Sequence, residues 1–91
     1  LFSDKIYVYI TGGEIKELPK GANIVDLACY MDLENILIGA KVNDGIAPID
    51  YILKNKDRVI VLTDDLAYGN KDDLIKMANT KYAREKIKSK K

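Results

Sequence analysis

The sequence predicts an α+β architecture: a mixed sheet of four to five strands, one helix packed across it, and a helical extension at the C-terminal end. Three observations carry this. Ile6, Val8 and Ile10 alternate with Lys5, Tyr7 and Tyr9, the two-residue period of a strand with unlike faces. Ile24, Leu27, Ala28 and Met31 recur at helical spacing and form one apolar stripe. Val59 to Leu62 is an unbroken run of β-formers, which predicts a central strand buried on both faces.

Taken in order, the first strand runs through Lys5 to Tyr9 and ends at Thr11-Gly12-Gly13, where two glycines supply the positive φ angles of a tight hairpin. Glu14 to Leu18 returns as the second strand. Ile15 and Leu18 fall on opposite parity, so a bulge near Glu17 is expected, and Pro19 is expected to end the pairing by removing a backbone donor. Asn23 reads as a helix N-cap, with Asp26 at the third helical position, and the helix is expected to stop near Met31. Leu37 to Val42 is a third strand. Asn43-Asp44-Gly45 turns the chain into a short strand at Ile46 and Ala47, and Pro48 places that strand at an edge.

One helix covers one face of such a sheet, so the other face needs a shield. The expected candidates are Tyr7, Tyr9 and a single helix over residues 71 to 87, in which Leu74, Ala78 and Tyr82 recur every four residues. Residues 1–66 then form the globular unit and residues 67–91 a basic helical extension.

At 91 residues the chain suits one domain with a modest core. It begins at Leu1 and ends in lysines, and it reads as a piece of something larger. Cys29 is the only cysteine, which excludes an intrachain disulfide and makes a reducing, cytoplasmic setting the expectation. No run of about 18 apolar residues is present, so no membrane partner is expected. The net charge of +1 conceals an asymmetry: residues 1 to 70 hold seven basic and eleven acidic side chains, and residues 71 to 91 hold eight and three. The globular part has no overall attraction for nucleic acid, whereas the extension has some.

Catalytic chemistry is missing from the residue types. Without a histidine, no Ser-His or Cys-His pair can form. Asp64-Asp65 and Asp72-Asp73 read as turn formers and helix-dipole partners rather than metal ligands, and Cys29 reads as a small core residue. Gly12-Gly13 lacks the Lys-Ser/Thr helix start of a phosphate loop. The six tyrosines are spread along the chain rather than gathered into a base-stacking platform. No catalytic residue, cofactor or metal is expected.

The order and spacing of several blocks resemble the TGS domain, a ubiquitin-like β-grasp module. Leu18-Pro19-Lys20-Gly21 matches its Leu-Pro-x-Gly, Val25-Asp26-Leu27-Ala28 its helix, and Ile38-Gly39-Ala40-Lys41-Val42-Asn43 its Val-Gly-Ala-Lys-Val-Asn strand. Pro48 to Leu53 matches its Pro-Leu-x-x-x-Leu segment. Leu74 to Ile87 is similar to the stretch that follows TGS in RelA/SpoT-type guanosine tetra- and pentaphosphate synthetase/hydrolases, where threonyl-tRNA synthetases do not continue this way. The resemblance implies a non-catalytic regulatory domain of a GTP pyrophosphokinase or (p)ppGpp hydrolase, whose partners are other domains of its parent and tRNA or the ribosome. Alternatives are an RNA-docking TGS domain of a translation-associated GTPase or threonyl-tRNA synthetase, and a purely structural protein-interaction domain. A sulfur-carrier role of the related β-grasp kind is not expected of the chain as given, which closes on Lys88-Ser89-Lys90-Lys91 rather than the Gly-Gly that such carriers activate.

Three departures from the family pattern bear on the site. Ile10-Thr11-Gly12-Gly13 lacks the usual turn proline, Asn55-Lys56-Asp57 lacks the usual Asn-Gly-Asp glycine, and Met31-Asp32 stands where the family has an Ile-His pair. That histidine is a proposed contact for the 3′ end of uncharged tRNA. A carboxylate there repels phosphate and cannot reproduce the imidazole's donor and acceptor. The expected RNA or partner surface is Asp32, Lys41, Asn43, Lys54 and Lys56, with weak, salt-sensitive RNA binding that does not discriminate a free 3′ end.

Overall fold

The computed structural model describes residues 4–66 and 71–89. In chain order the elements are β1 Lys5–Tyr9, β2 Ile15–Pro19, α1 Ile24–Tyr30, β3 Leu37–Val42, β4 Gly45–Ala47, β5 Val59–Thr63, α2 Lys71–Met77 and α3 Lys81–Ser89. The expected boundary after residue 66 adjoins residues 67–70, which lie outside the described residues.

The strands form two antiparallel pieces, β1-β2 and β4-β3-β5. A parallel bridge between Tyr9 and Arg58 links them. It is supported by Tyr9 N–H donating to the Asp57 carbonyl at 2.8 Å and Lys56 N–H donating to the Tyr7 carbonyl at 2.7 Å. The expected mixed sheet is therefore present as a split one. Helix α1 lies on one side of it, with Ile24, Val25, Leu27, Ala28 and Cys29 fully buried among Val8, Leu18, Ala40 and Val59.

The second strand corrects two expectations. Its register against β1 is regular from Lys5↔Pro19 to Tyr9↔Ile15, so there is no bulge at Glu17. The parity conflict is resolved by leaving Ile15 57% exposed while Leu18 is buried. Pro19 does not end the pairing either, since Lys20 N–H still reaches the Asp4 carbonyl at 2.8 Å. In an antiparallel ladder alternate residues point their amides away from the partner, and Pro19 occupies such a position, where its missing N–H costs the ladder nothing.

Helix α1 starts as the sequence indicates. Asn23 Oδ1 accepts from Asp26 N–H at 3.0 Å while Asp26 Oδ2 accepts from Asn23 N–H at 2.8 Å, a reciprocal capping box. Val25 N–H, a further first-turn donor, reaches the Ile49 carbonyl at 3.1 Å. Met31 caps the other end.

The remaining corrections concern β5 and the extension. Strand β5 is buried on one face only: Val59 is buried, Ile60 is 46% exposed, and β5 sits at the edge of its three-stranded piece. The extension does not shield the open face. It folds as two helices rather than one, broken at residues 78–80, and α3 packs against α1 on the already covered side. The break resets the helical phase, so Leu74 and Ala78 are buried but Tyr82 is not; Ala83 and Ile87 are buried in its place. Tyr82 instead stacks on Tyr30, ring centroids 4.5 Å apart.

Candidate ligand-binding face

The uncovered side of the sheet is where a ligand or partner finds open chemistry. Tyr7, Tyr9, Ile15, Ile46 and Ile60 all project there or along its rim as exposed side chains, Ile46 to 84%. An exposed apolar grouping of this kind is characteristic of contact surfaces. Beyond the Tyr9–Arg58 bridge no further pairing joins the β1-β2 hairpin to β5 among the described residues. Ile10 N–H bonds the Glu14 carbonyl at 2.8 Å, and Gly12 and Gly13 take φ values of 91° and 82°, a region that glycine enters freely. A cavity of about 360 Å³ opens in the resulting cleft, lined by Tyr9, Thr11, Lys41, Asp44, Arg58 and Ile60. Its walls offer an aromatic ring, an aliphatic side chain, two cations and one carboxylate. That set suits reversible binding of an anionic group beside a flat or apolar one.

Of the five expected surface residues, Lys41 lines this cavity, opposite Ile60 in the β3–β5 register. Asn43 stands behind it in a structural role. Asn43 and Asp44 have φ values of 51° and 73°, as a two-residue hairpin turn requires. The Asn43 amide donates to Asp57 Oδ1 at 3.0 Å and accepts from Arg58 N–H at 3.0 Å. Asp57 is itself buried, and its other oxygen accepts from Lys54 N–H at 2.8 Å and from the Tyr51 hydroxyl at 3.4 Å. Burial, and after it the Asp57 carboxylate, raises the Tyr51 phenol above its ordinary value.

Lys54 and Lys56 are exposed on the turn that Asp57 anchors. Lys56 has φ 71°, so the lost turn glycine is replaced by a lysine held in the left-handed region. The turn is pinned to β1 by Tyr7 N–H donating to Asn55 Oδ1 at 2.9 Å.

Asp32 is not on this face. It follows the end of α1 with φ 60°, and its carboxylate pairs with the Lys86 ammonium of α3. Lys86 also donates to the Cys29 carbonyl at 2.6 Å and lies 3.8 Å from the buried Glu34 carboxylate. The negative charge at the position of the family histidine is therefore compensated from within the chain. Arg58, beside Lys41 in the cavity wall, is the residue that sequence reasoning missed. Its signal was the parity of β5, in which 58 and 60 share the open face, but that is legible only once β1 is known to pair with the start of β5.

The buried carboxylates have structural partners. Asp26 accepts from the backbone N–H groups of Asn23, Asn79 and Thr80, Asp57 accepts from Lys54 N–H, the Asn43 amide and the Tyr51 hydroxyl, and among the described residues no group of three or more His, Cys, Asp or Glu side chains is placed to hold a metal. No helix among the described residues is long and apolar enough to cross a membrane. The geometry offers an open surface of mixed charge and apolar character, and among the described residues no pair of groups is set up for proton transfer or nucleophilic attack.

Comparison with known proteins agrees with this fold. The family described as TGS domain matches residues 6–63. A GTP pyrophosphokinase from Myxococcus xanthus is 39% identical over 90 residues, covering 97% of this chain and 12% of that protein. A guanosine-3′,5′-bis(diphosphate) 3′-pyrophosphohydrolase from Aquifex aeolicus is 36% identical over 93 residues, covering 97% of this chain and 13% of its own length. A GTP pyrophosphokinase from Escherichia coli is 30% identical over 74 residues, covering 79% and 10%. The chain thus spans a small fraction of the relatives it matches, and the match continues through the two C-terminal helices.

Proposed function

We infer the function from the premise that this chain belongs to the TGS domain family, and we propose that it is the non-catalytic regulatory domain of a RelA/SpoT-like protein. On this reading the pyrophosphoryl transfer from ATP to GTP, or the hydrolysis of its product, is performed by other domains of the longer protein in the cytoplasm. This chain supplies no reacting group. It binds through the open face of its sheet and biases the catalytic domains by preferring one of their states.

The observation that carries the reading is the combination of near-complete coverage by pyrophosphokinase and pyrophosphohydrolase relatives with a chain that contains no histidine. The relatives do not favour a translation GTPase or a threonyl-tRNA synthetase. Contact with tRNA or the ribosome, on this proposal, is electrostatic, weak and strongly salt-dependent. Few cations face the cleft, and the first 70 residues carry more acid than base. A free 3′ end is not preferred over an aminoacylated one, because Asp32 is engaged by Lys86.

The test is the longer protein carrying Lys41→Ala together with Arg58→Ala. Turnover at saturating substrate is expected to persist, while its dependence on added ribosomes and tRNA changes. An unchanged dependence would place the regulatory contact on another surface.

A further inference from the structure

We propose that the α2–α3 segment is a strap that undocks from α1 as a unit while the sheet stays folded, alternately covering and exposing the α1 face. The reasoning starts from helix length. Helices of seven and nine residues are too short to persist alone in water, where roughly 12–15 residues are needed even for good helix formers. The strap is therefore helical because it is docked, and leaving the dock melts it.

Its attachment is concentrated on α1 and the turn before it. The Asp26 carboxylate, completely buried, accepts from the backbone N–H groups of Asn79 and Thr80 and from the Thr80 hydroxyl. Asn23 Nδ2 donates to the Met77 carbonyl at 2.6 Å, and Asn79 Nδ2 donates to the Gly21 carbonyl at 3.0 Å. At the far end of α1, Lys86 holds the Cys29 carbonyl and Asp32. These bonds join residues more than fifty positions apart, and none of them involves a strand. The ladders of the sheet pair strand with strand and include no residue of the strap. An element anchored by polar bonds to one helix and the turn before it, with Leu74, Ala78, Ala83 and Ile87 as its buried apolar residues and no part in the strand ladders, fits the description of a locally unfolding unit. Where such a unit covers a helix face, its docking equilibrium is a two-state element available to regulation. This inference is independent of the ligand proposed for the open sheet face.

Cys29 provides the probe. It is the only cysteine, it is buried, and its thiol lies against the Ala83 carbonyl of α3 at 3.9 Å. The experiment measures the rate of Cys29 labelling by a small thiol reagent on the whole chain, at urea concentrations below the unfolding transition. Amide exchange of β1 and β3 is followed alongside. The strap predicts labelling faster than global unfolding allows, with a urea dependence much shallower than that of the global transition. Thr80→Val keeps the side-chain shape but deletes the hydroxyl that donates to Asp26 and accepts from Ala83 N–H. It is expected to raise the labelling rate about tenfold while β1 and β3 protection is unchanged. Lys86→Met, acting at the other end of α1, is expected to move the rate in the same direction. Labelling of the unmodified chain with the urea dependence of global unfolding would overturn the proposal even if both variants failed to fold. So would a parallel loss of strap and sheet protection in Thr80→Val.

Discussion

The Asp26 carboxylate accepts hydrogen bonds from both the backbone N–H and the hydroxyl of Thr80, each at 2.9 Å, although the two residues are 54 positions apart in the chain. One side chain thereby caps two helices. It closes the capping box of α1 with Asn23. It also fixes Thr80, whose hydroxyl accepts from Ala83 N–H at 3.1 Å at the start of α3. The helical extension is thus joined to the β-grasp body through a fully buried charge satisfied by dipoles, the arrangement that makes a buried carboxylate tolerable.

Asp26→Ala is accordingly expected to destabilise the chain by roughly 3 kcal/mol or more, because several buried N–H donors lose their acceptor at about 1–3 kcal/mol each and only some find water. Urea denaturation of the purified variant checks this. A midpoint equal to that of the unmodified chain would mean that the site rehydrates freely.

Leu27→Ala removes a completely buried side chain from the middle of the core and is expected to cost roughly 2–5 kcal/mol, a large share of a small domain's stability. A thermal-unfolding midpoint unmoved by the substitution would contradict the packing of α1 on the sheet.

Lys56→Gly is expected to stabilise. Lys56 holds φ 71°, a conformation that costs an L-residue about 1–2 kcal/mol, and glycine returns part of that as extra freedom of the unfolded chain. A net gain of about 0.5–1 kcal/mol follows, readable as a higher urea midpoint. Loss of stability would show that the lysine side chain makes a compensating contact.

The Glu17 carboxyl is expected to titrate below the ordinary glutamate range. The hydrogen bond from Lys5 is the larger cause and that from Tyr7 the next. Because its folded pKa is depressed, the interaction stabilises the chain at pH values above the ordinary range and is lost as pH falls through the lowered value. Lys5 is raised by the same pairing, so its share is present at neutral pH and lost only as pH rises through that raised value. Carboxyl NMR titration of Lys5→Ala should move the Glu17 midpoint back upward. A midpoint indifferent to Lys5 would dismiss the pair as unpopulated in solution.

The strands, the Asn23 N-cap and the hairpin turn at Asn43-Asp44 were legible because each is decided within a few residues by alternation, by a cap or by a required φ. Two features were not. The apolar run Val59 to Leu62 looked buried on both faces, since periodicity alone does not distinguish a covered strand from one whose second face awaits a partner. The break at residues 78–80 has a local signal in Thr80, whose hydroxyl accepts from Ala83 N–H as an N-cap does, but helical composition on either side conceals it, and the Asp26 carboxylate that also holds Thr80 lies far away in sequence. The candidate surface was legible in Lys41 but not in Arg58, whose place depends on a parallel pairing between distant strands. Asp32 is exposed, as a surface residue should be, but its pairing with Lys86 is not legible because nothing local announces that lysine.

The central claim is that this chain regulates and does not react. The most direct measurement incubates the purified chain with ATP and GTP, and separately with guanosine tetraphosphate and manganese, beside the longer protein from which these 91 residues have been removed. The account predicts no turnover by the chain alone, and turnover by the shortened protein that continues at a rate different from that of the intact one. Product formed by the isolated chain, or a shortened protein indistinguishable from the intact one, would contradict it.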